Sequence, residues 1–153
     1  MRPAQFRTFV IKPTLAYLNL TDPYAEDLLV GISCAESHCG EYLSQMGSGP
    51  ALGVYQMEPD TAVDVLSYLE KRRPDLYKKV VNLLANSMTL KENLAGNNLF
   101  ATAMARCFFI RFPEPIPTTR EGMAAYWKKY YNTKLGAGTV DGFLRKWKEK
   151  EEH

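Results

Sequence analysis

The stretch from about Lys91 to Phe112 is the most apolar part of the chain, and it limits the fold more than any other segment. Its spacing predicts a long helix with little solvent face, which belongs at the centre of a core with other helices around it. Pro113, Pro115 and Pro117 end it. With 153 residues, 46% of them hydrophobic, the chain has the size and apolar content of one domain, spanning 1–153.

The surrounding elements also read as helices. Thr21-Asp22-Pro23 supplies a cap and a first-turn proline, and Leu28, Leu29, Ile32 and Ala35 then recur at helical spacing up to Glu36. Further helices are predicted from about Asp60 to Lys71 and from Pro74 to about Ala85. One more follows Thr118 and Thr119 through Tyr130, and a last amphipathic one runs from Thr139 to near Lys148. Gly47, Gly49 and Pro50 make Gln45 to Leu52 a loop or short hairpin. Few segments alternate with period two, so periodicity alone indicates a mostly helical chain.

A net charge of +2 is too small to point to nucleic acid. Arg145, Lys146, Lys148 and Lys150 interleave with Glu149, Glu151 and Glu152, which reads as a solvated helix face. Three cysteines, an odd number, suit a reducing compartment better than a disulfide framework. Cys34, His38 and Cys39 lack a fourth metal ligand and are read as small packed side chains, so neither metal nor cofactor is expected. The N-terminus lacks the apolar run and cleavage site of a secretion signal, and no segment is apolar for long enough to insert in a membrane.

Two segments carry the chemistry. Ile32-Ser33-Cys34-Ala35-Glu36-Ser37-His38-Cys39-Gly40 ends an apolar helix in Glu-Ser, and Leu52-Gly53-Val54-Tyr55-Gln56-Met57-Glu58-Pro59-Asp60-Thr61-Ala62 follows after a Gly-rich loop. Together they resemble the goose-type lysozymes and soluble lytic transglycosylases. The resemblance extends to Asn93–Arg106, read as a buried helix containing Asn98, Leu99, Ala101 and Ala105, and to Ala124-Ala125-Tyr126. It implies an all-α fold, or α with a minor β-hairpin, of lysozyme-like architecture. The implied activity is cleavage of the β-1,4 bond between N-acetylmuramic acid and N-acetylglucosamine in peptidoglycan.

Glu36 matches the family's catalytic acid. The negative end of its helix and partial desolvation would both favour the protonated form that such an acid needs. Hydrolysis usually requires a second carboxylate, whereas lytic transglycosylases let the muramic C6 hydroxyl close on C1 and release a 1,6-anhydro sugar. Glu41 is the one other acid between Glu36 and Gln56. Glu58 aligns with a goose-type Asp and reads either as a water-activating group or as a cap for the helix beginning near Pro59. The resemblance places Gln56 beside the acid, with Tyr55 in the position of a more usual Met. Ser37 fixes the helix end, Ser48 is a looser match to a cleft serine, and the Tyr126 hydroxyl falls near the carboxylate. For Tyr126, packing on an amphipathic helix is the competing reading. Trp127-Lys128-Lys129 departs from the family's Asn-Ala-Gly, leaving Tyr130, Tyr131 and Asn132 to share that role.

A wall enzyme without an export signal needs another route to its substrate. The pattern resembles small phage-encoded members of the family, carried in the virion or held in the host cytoplasm until release. The expected partners are peptidoglycan glycan strands and, for a virion-borne member, other virion proteins. The rival readings are a muramidase that uses Glu58 and a non-catalytic wall-binding or virion structural protein.

Overall fold

In the computed structural model, which describes residues 1–44, 49–132 and 136–153, the chain opens with a helical segment that its sequence disguises. Helix α1 (Pro3–Phe6) runs through a π-helical turn at Arg7–Ile11 into α2 (Lys12–Tyr17). Phe6 and Ile11 are both buried although their spacing does not fit an α-helix; the wider turn absorbs the extra residue and returns both to the core. Pro13 follows that turn, without an N–H and with a ring that crowds the turn before it. The Thr14 hydroxyl donates to the Val10 carbonyl at 2.7 Å.

The following helices are α3 (Pro23–Ser37), α4 (Pro59–Arg72), α5 (Pro74–Asn82), α6 (Leu90–Gly96), α7 (Asn98–Ile110), α8 (Arg120–Tyr126) and α9 (Val140–Glu152). A second π-helical turn, Trp127–Asn132, continues α8. Caps read from the sequence are in place. Asp22 accepts from the Tyr24 N–H at 2.8 Å, and Thr119 and Thr139 each accept from a glycine N–H at 3.0 Å. Where a loop or short hairpin is expected, the described residues form isolated antiparallel bridges, Ser44 to Leu52 and Leu52 to Met57. No strand occurs among the described residues, and the fold is all-α.

The predicted Lys91–Phe112 helix is two helices. Asn97 leaves the helical region at φ −99° and ψ 90°, and its side chain caps α7 by accepting from the Phe100 N–H at 3.2 Å. The Asn97 amide also donates to the Leu83 carbonyl at 2.8 Å, while buried Asn93 accepts from the Ala85 N–H at 2.9 Å. These two asparagines fasten the connection between α5 and α6 to the core. Leu99, expected inside, is 42% exposed because the break turns it outward. Helix α7 is central as expected, packing against α2, α3, α4, α5 and α6.

Helix α3 is buried along most of its length and lies against α9. Gly31 sets their separation, since a Cβ there would sit 2.8 Å from both Phe143 and Trp147 of α9. This tight crossing carries the end of α3, and with it Glu36, up against the last third of the chain. No helix among the described residues is long and apolar enough to cross a membrane.

Candidate active site

The end of α3 is shaped by three successive residues with positive φ: His38 at 51°, Cys39 at 55° and Gly40 at 85°. The first two are not glycines, so the left-handed backbone costs on the order of 1 kcal/mol each and needs local support. Ser37 provides it. Its buried hydroxyl donates to the Val54 carbonyl at 2.6 Å, has the Ser33 carbonyl in reach at 3.1 Å, and accepts from the Gly40 N–H at 2.8 Å. Ser37 therefore ties the helix end to the Gly53–Gln56 turn and, among the described residues, is not part of the lining of the cleft that holds Glu36. In that turn Gly53 has φ 82°, and a Cβ would overlap the Leu94 carbonyl oxygen, so no other residue fits.

Glu36 sits at the mouth of this construction, in a cleft of about 530 Å³. The Trp127 indole N–H donates to its Oε2 at 3.2 Å. Burial pushes its carboxyl up to about 7, against the opposing pull of the Trp127 N–H and the nearby Lys146 ammonium. Lys146 is held close by donating to the Ala35 carbonyl at 3.5 Å. Among the described residues Glu36 is the only acid lining its cleft, which also receives Arg145 and Lys146. The C-terminal basic run is thus only partly a solvated face, because packing of α9 on α3 turns these two residues to the acid's side.

Gln56, Asn132 and Gly136 line this cleft and also a second one of about 570 Å³. Gln56 stands at the junction with a left-handed φ of 47°, its amide donating to the Gly53 carbonyl at 3.0 Å. Phe108, Arg111, Phe112 and Tyr130 line the second cleft together with Glu58, Thr61 and Asp64. Phe112 and Tyr130 stack at 4.4 Å. The two hollows meet at the shared Gln56, Asn132 and Gly136, with Glu36 in the first and Glu58 and Asp64 in the second.

Like Ser37, the expected site residues Tyr55, Tyr126 and Glu58 do not line the cleft of Glu36. The Tyr55 side chain is in the core, 1% exposed and hydrogen-bonded to Thr102 at 2.9 Å, because the Gly53 turn points it inward. Tyr126 donates to the Glu114 carbonyl at 3.1 Å and stacks on Phe109; it lines neither cleft, so packing is the role the structure gives it. Glu58 is exposed at the N-cap position of α4 but makes no side-chain cap bond, so it does not cap the helix. It lines the second cleft, apart from Glu36. Ser48 lies outside the described residues.

Trp127 holds the position beside the acid that the sequence assigned to Tyr126. The departure from the family's pattern just after Ala-Ala-Tyr was the signal for it. Tyr131, one turn further on, donates to the Tyr55 carbonyl at 2.6 Å and feels the charge of Glu36. Among the described residues there is no cluster of three or more His, Cys, Asp or Glu fit to hold a metal ion. The three cysteines are buried free thiols. No family model, curated protein or solved structure matches the chain.

Proposed function

We propose that this protein is a peptidoglycan lytic transglycosylase, with Glu36 serving first as proton donor and then as base. The observation that carries the reading is a single carboxyl, pushed up to about 7 by burial, as the only acid in its cleft among the described residues. The sequence resemblance of the Glu36 and Gln56 segments supports the same chemistry.

A group with that pKa is half protonated at neutral pH, which suits both halves of the reaction. Protonated Glu36 gives its proton to the glycosidic oxygen as the bond from muramic C1 breaks. The C6 hydroxyl of the same muramic residue then bonds to C1, and the Glu36 carboxylate takes the hydroxyl proton. No water is consumed, and the acid returns to its starting state. The Trp127 N–H steadies the carboxylate between the two transfers, and Lys146 offsets its charge.

Hydrolysis remains as a second reading because Glu58 lines the cleft that joins the first at Gln56. Mass spectrometry of fragments released from isolated peptidoglycan separates the two. Transglycosylation yields 1,6-anhydromuramic ends one water lighter than hydrolysis products, and Glu36→Gln should yield neither. Ordinary reducing ends would transfer the reaction to a lysozyme mechanism. An absence of fragments from several wall types would indicate a non-catalytic wall-binding role.

A further inference from the structure

The second cleft is unlike a neutral sugar site. Arg111 makes no ion pair among the described residues although it is half-buried. Its guanidinium lies 4.4 Å from the centroid of the Phe108 ring and 5.2 Å from that of Phe112, and its Nε donates to the Phe108 carbonyl at 3.1 Å. With one face on the rings and Nε committed, the planar fork is fixed in place and its terminal nitrogens have no hydrogen bond among the described residues. Asp64 and Glu58 line the same hollow, neither in an ion pair among the described residues, and the Asp64 charge acts on Arg111. Phe108, Phe112, Tyr130 and Tyr131 are the aromatic residues of its lining.

A cleft with a fixed cation, two carboxylates outside any ion pair among the described residues, and aromatic side chains matches a short zwitterionic peptide better than another acetamido sugar. Peptidoglycan carries such a group as the stem peptide on the muramic lactyl ether, with carboxylates, small apolar side chains and the ammonium of a diamino acid. We propose that the second cleft holds the stem peptide of the strand being cut. Arg111 takes a stem carboxylate, while Asp64 and Glu58 face the ammonium. The inference rests on the peptidoglycan reading of the first cleft and makes Arg111 a specificity-determining residue.

The test uses a Glu36→Gln background, so that ligands are bound and not cut, and two forms of one tetrasaccharide of alternating N-acetylglucosamine and N-acetylmuramic acid, with and without stem peptides. Calorimetry should find the stem-bearing form bound about tenfold more tightly, and Arg111→Gln should abolish that preference. Binding of the stem-free form, whose lactyl carboxylate is free, should change by less than about twofold. Asp64→Asn should weaken the stem-bearing form by about threefold when its diamino acid carries a free ammonium, and not when that amine is acetylated.

Equal losses on both tetrasaccharides with Arg111→Gln would overturn the proposal and leave Arg111 a general packing or lactyl-binding residue. Unchanged binding of the stem-bearing form would also overturn it. Failure of the Glu36→Gln protein to bind either form would refute the peptidoglycan reading itself, and with it the assignment of the second cleft.

Discussion

Glu36 and Glu58 stand on opposite sides of the same glutamine, and the chain treats them in opposite ways. Glu36 ends a buried helix, receives an indole N–H and has its carboxyl pushed up to about 7. Glu58 begins a helix, is exposed, and makes no side-chain bond among the described residues that would hold it. The difference lies in the enclosure and not in the residue type. A carboxyl becomes an acid catalyst at neutral pH when packing removes its water while leaving it one or two partners.

The comparison is broken most severely by Glu36→Gln, which should lower bond cutting by roughly 10²–10⁴-fold, the usual weight of a general acid–base. The same variant tests the enclosure through stability. The folded state holds the Glu36 proton more tightly than the unfolded chain does. Stability is therefore greatest below the ordinary glutamate range, declines as pH rises to about 7, and is level above that. At pH 8 Glu36→Gln should be more stable than the parent by up to about 3 kcal/mol, and at pH 4 nearly equal to it, as thermal melts at the two pH values would reveal.

Loosening the enclosure is the next test. Ser37→Ala strands the Gly40 N–H and the Val54 carbonyl, which should cost about 2 kcal/mol and lower the melting temperature by about 6 °C. Trp127→Phe keeps the ring against Phe143 but removes the donor to Glu36. The Glu36 pKa should then rise further, moving the alkaline fall in activity from near pH 7 to about one unit higher, the equivalent of roughly 1.5 kcal/mol. Glu58→Gln should have the smallest effect, less than about threefold on cutting and within about 0.5 kcal/mol on stability. A loss comparable to that of Glu36→Gln would erase the contrast and support hydrolysis.

The legible parts of the fold were those governed by local chemistry. Asp22, Thr119 and Thr139 announced their helices because a short polar side chain before an apolar run has one good use there. The first helical segment was missed because its π turn breaks the period that would reveal it. The break at Asn97 was open to the same local reading, since an asparagine can cap the next helix as readily as it can ride inside one. Glu36 and Gln56 could be placed from motif spacing, and both line the first cleft. Trp127, Lys146 and Arg111 could not, because their roles depend on how distant helices dock. Tyr55 and Tyr126 were misassigned for a related reason: a motif gives a residue's position along the chain, and the local turn decides which way it faces.

The indole that meets Glu36 is 91 residues further along the chain, and the ammonium that reaches the Ala35 carbonyl lies 111 residues beyond it. Contacts so far apart in sequence carry a larger loop-closure cost than those within one helix. The enclosure that raises the Glu36 carboxyl therefore depends on the last third of the chain being docked on α3. On the proposed reading, an incompletely folded molecule has the acid in its sequence without having it in function, and the onset of cutting during refolding would time the arrival of α9.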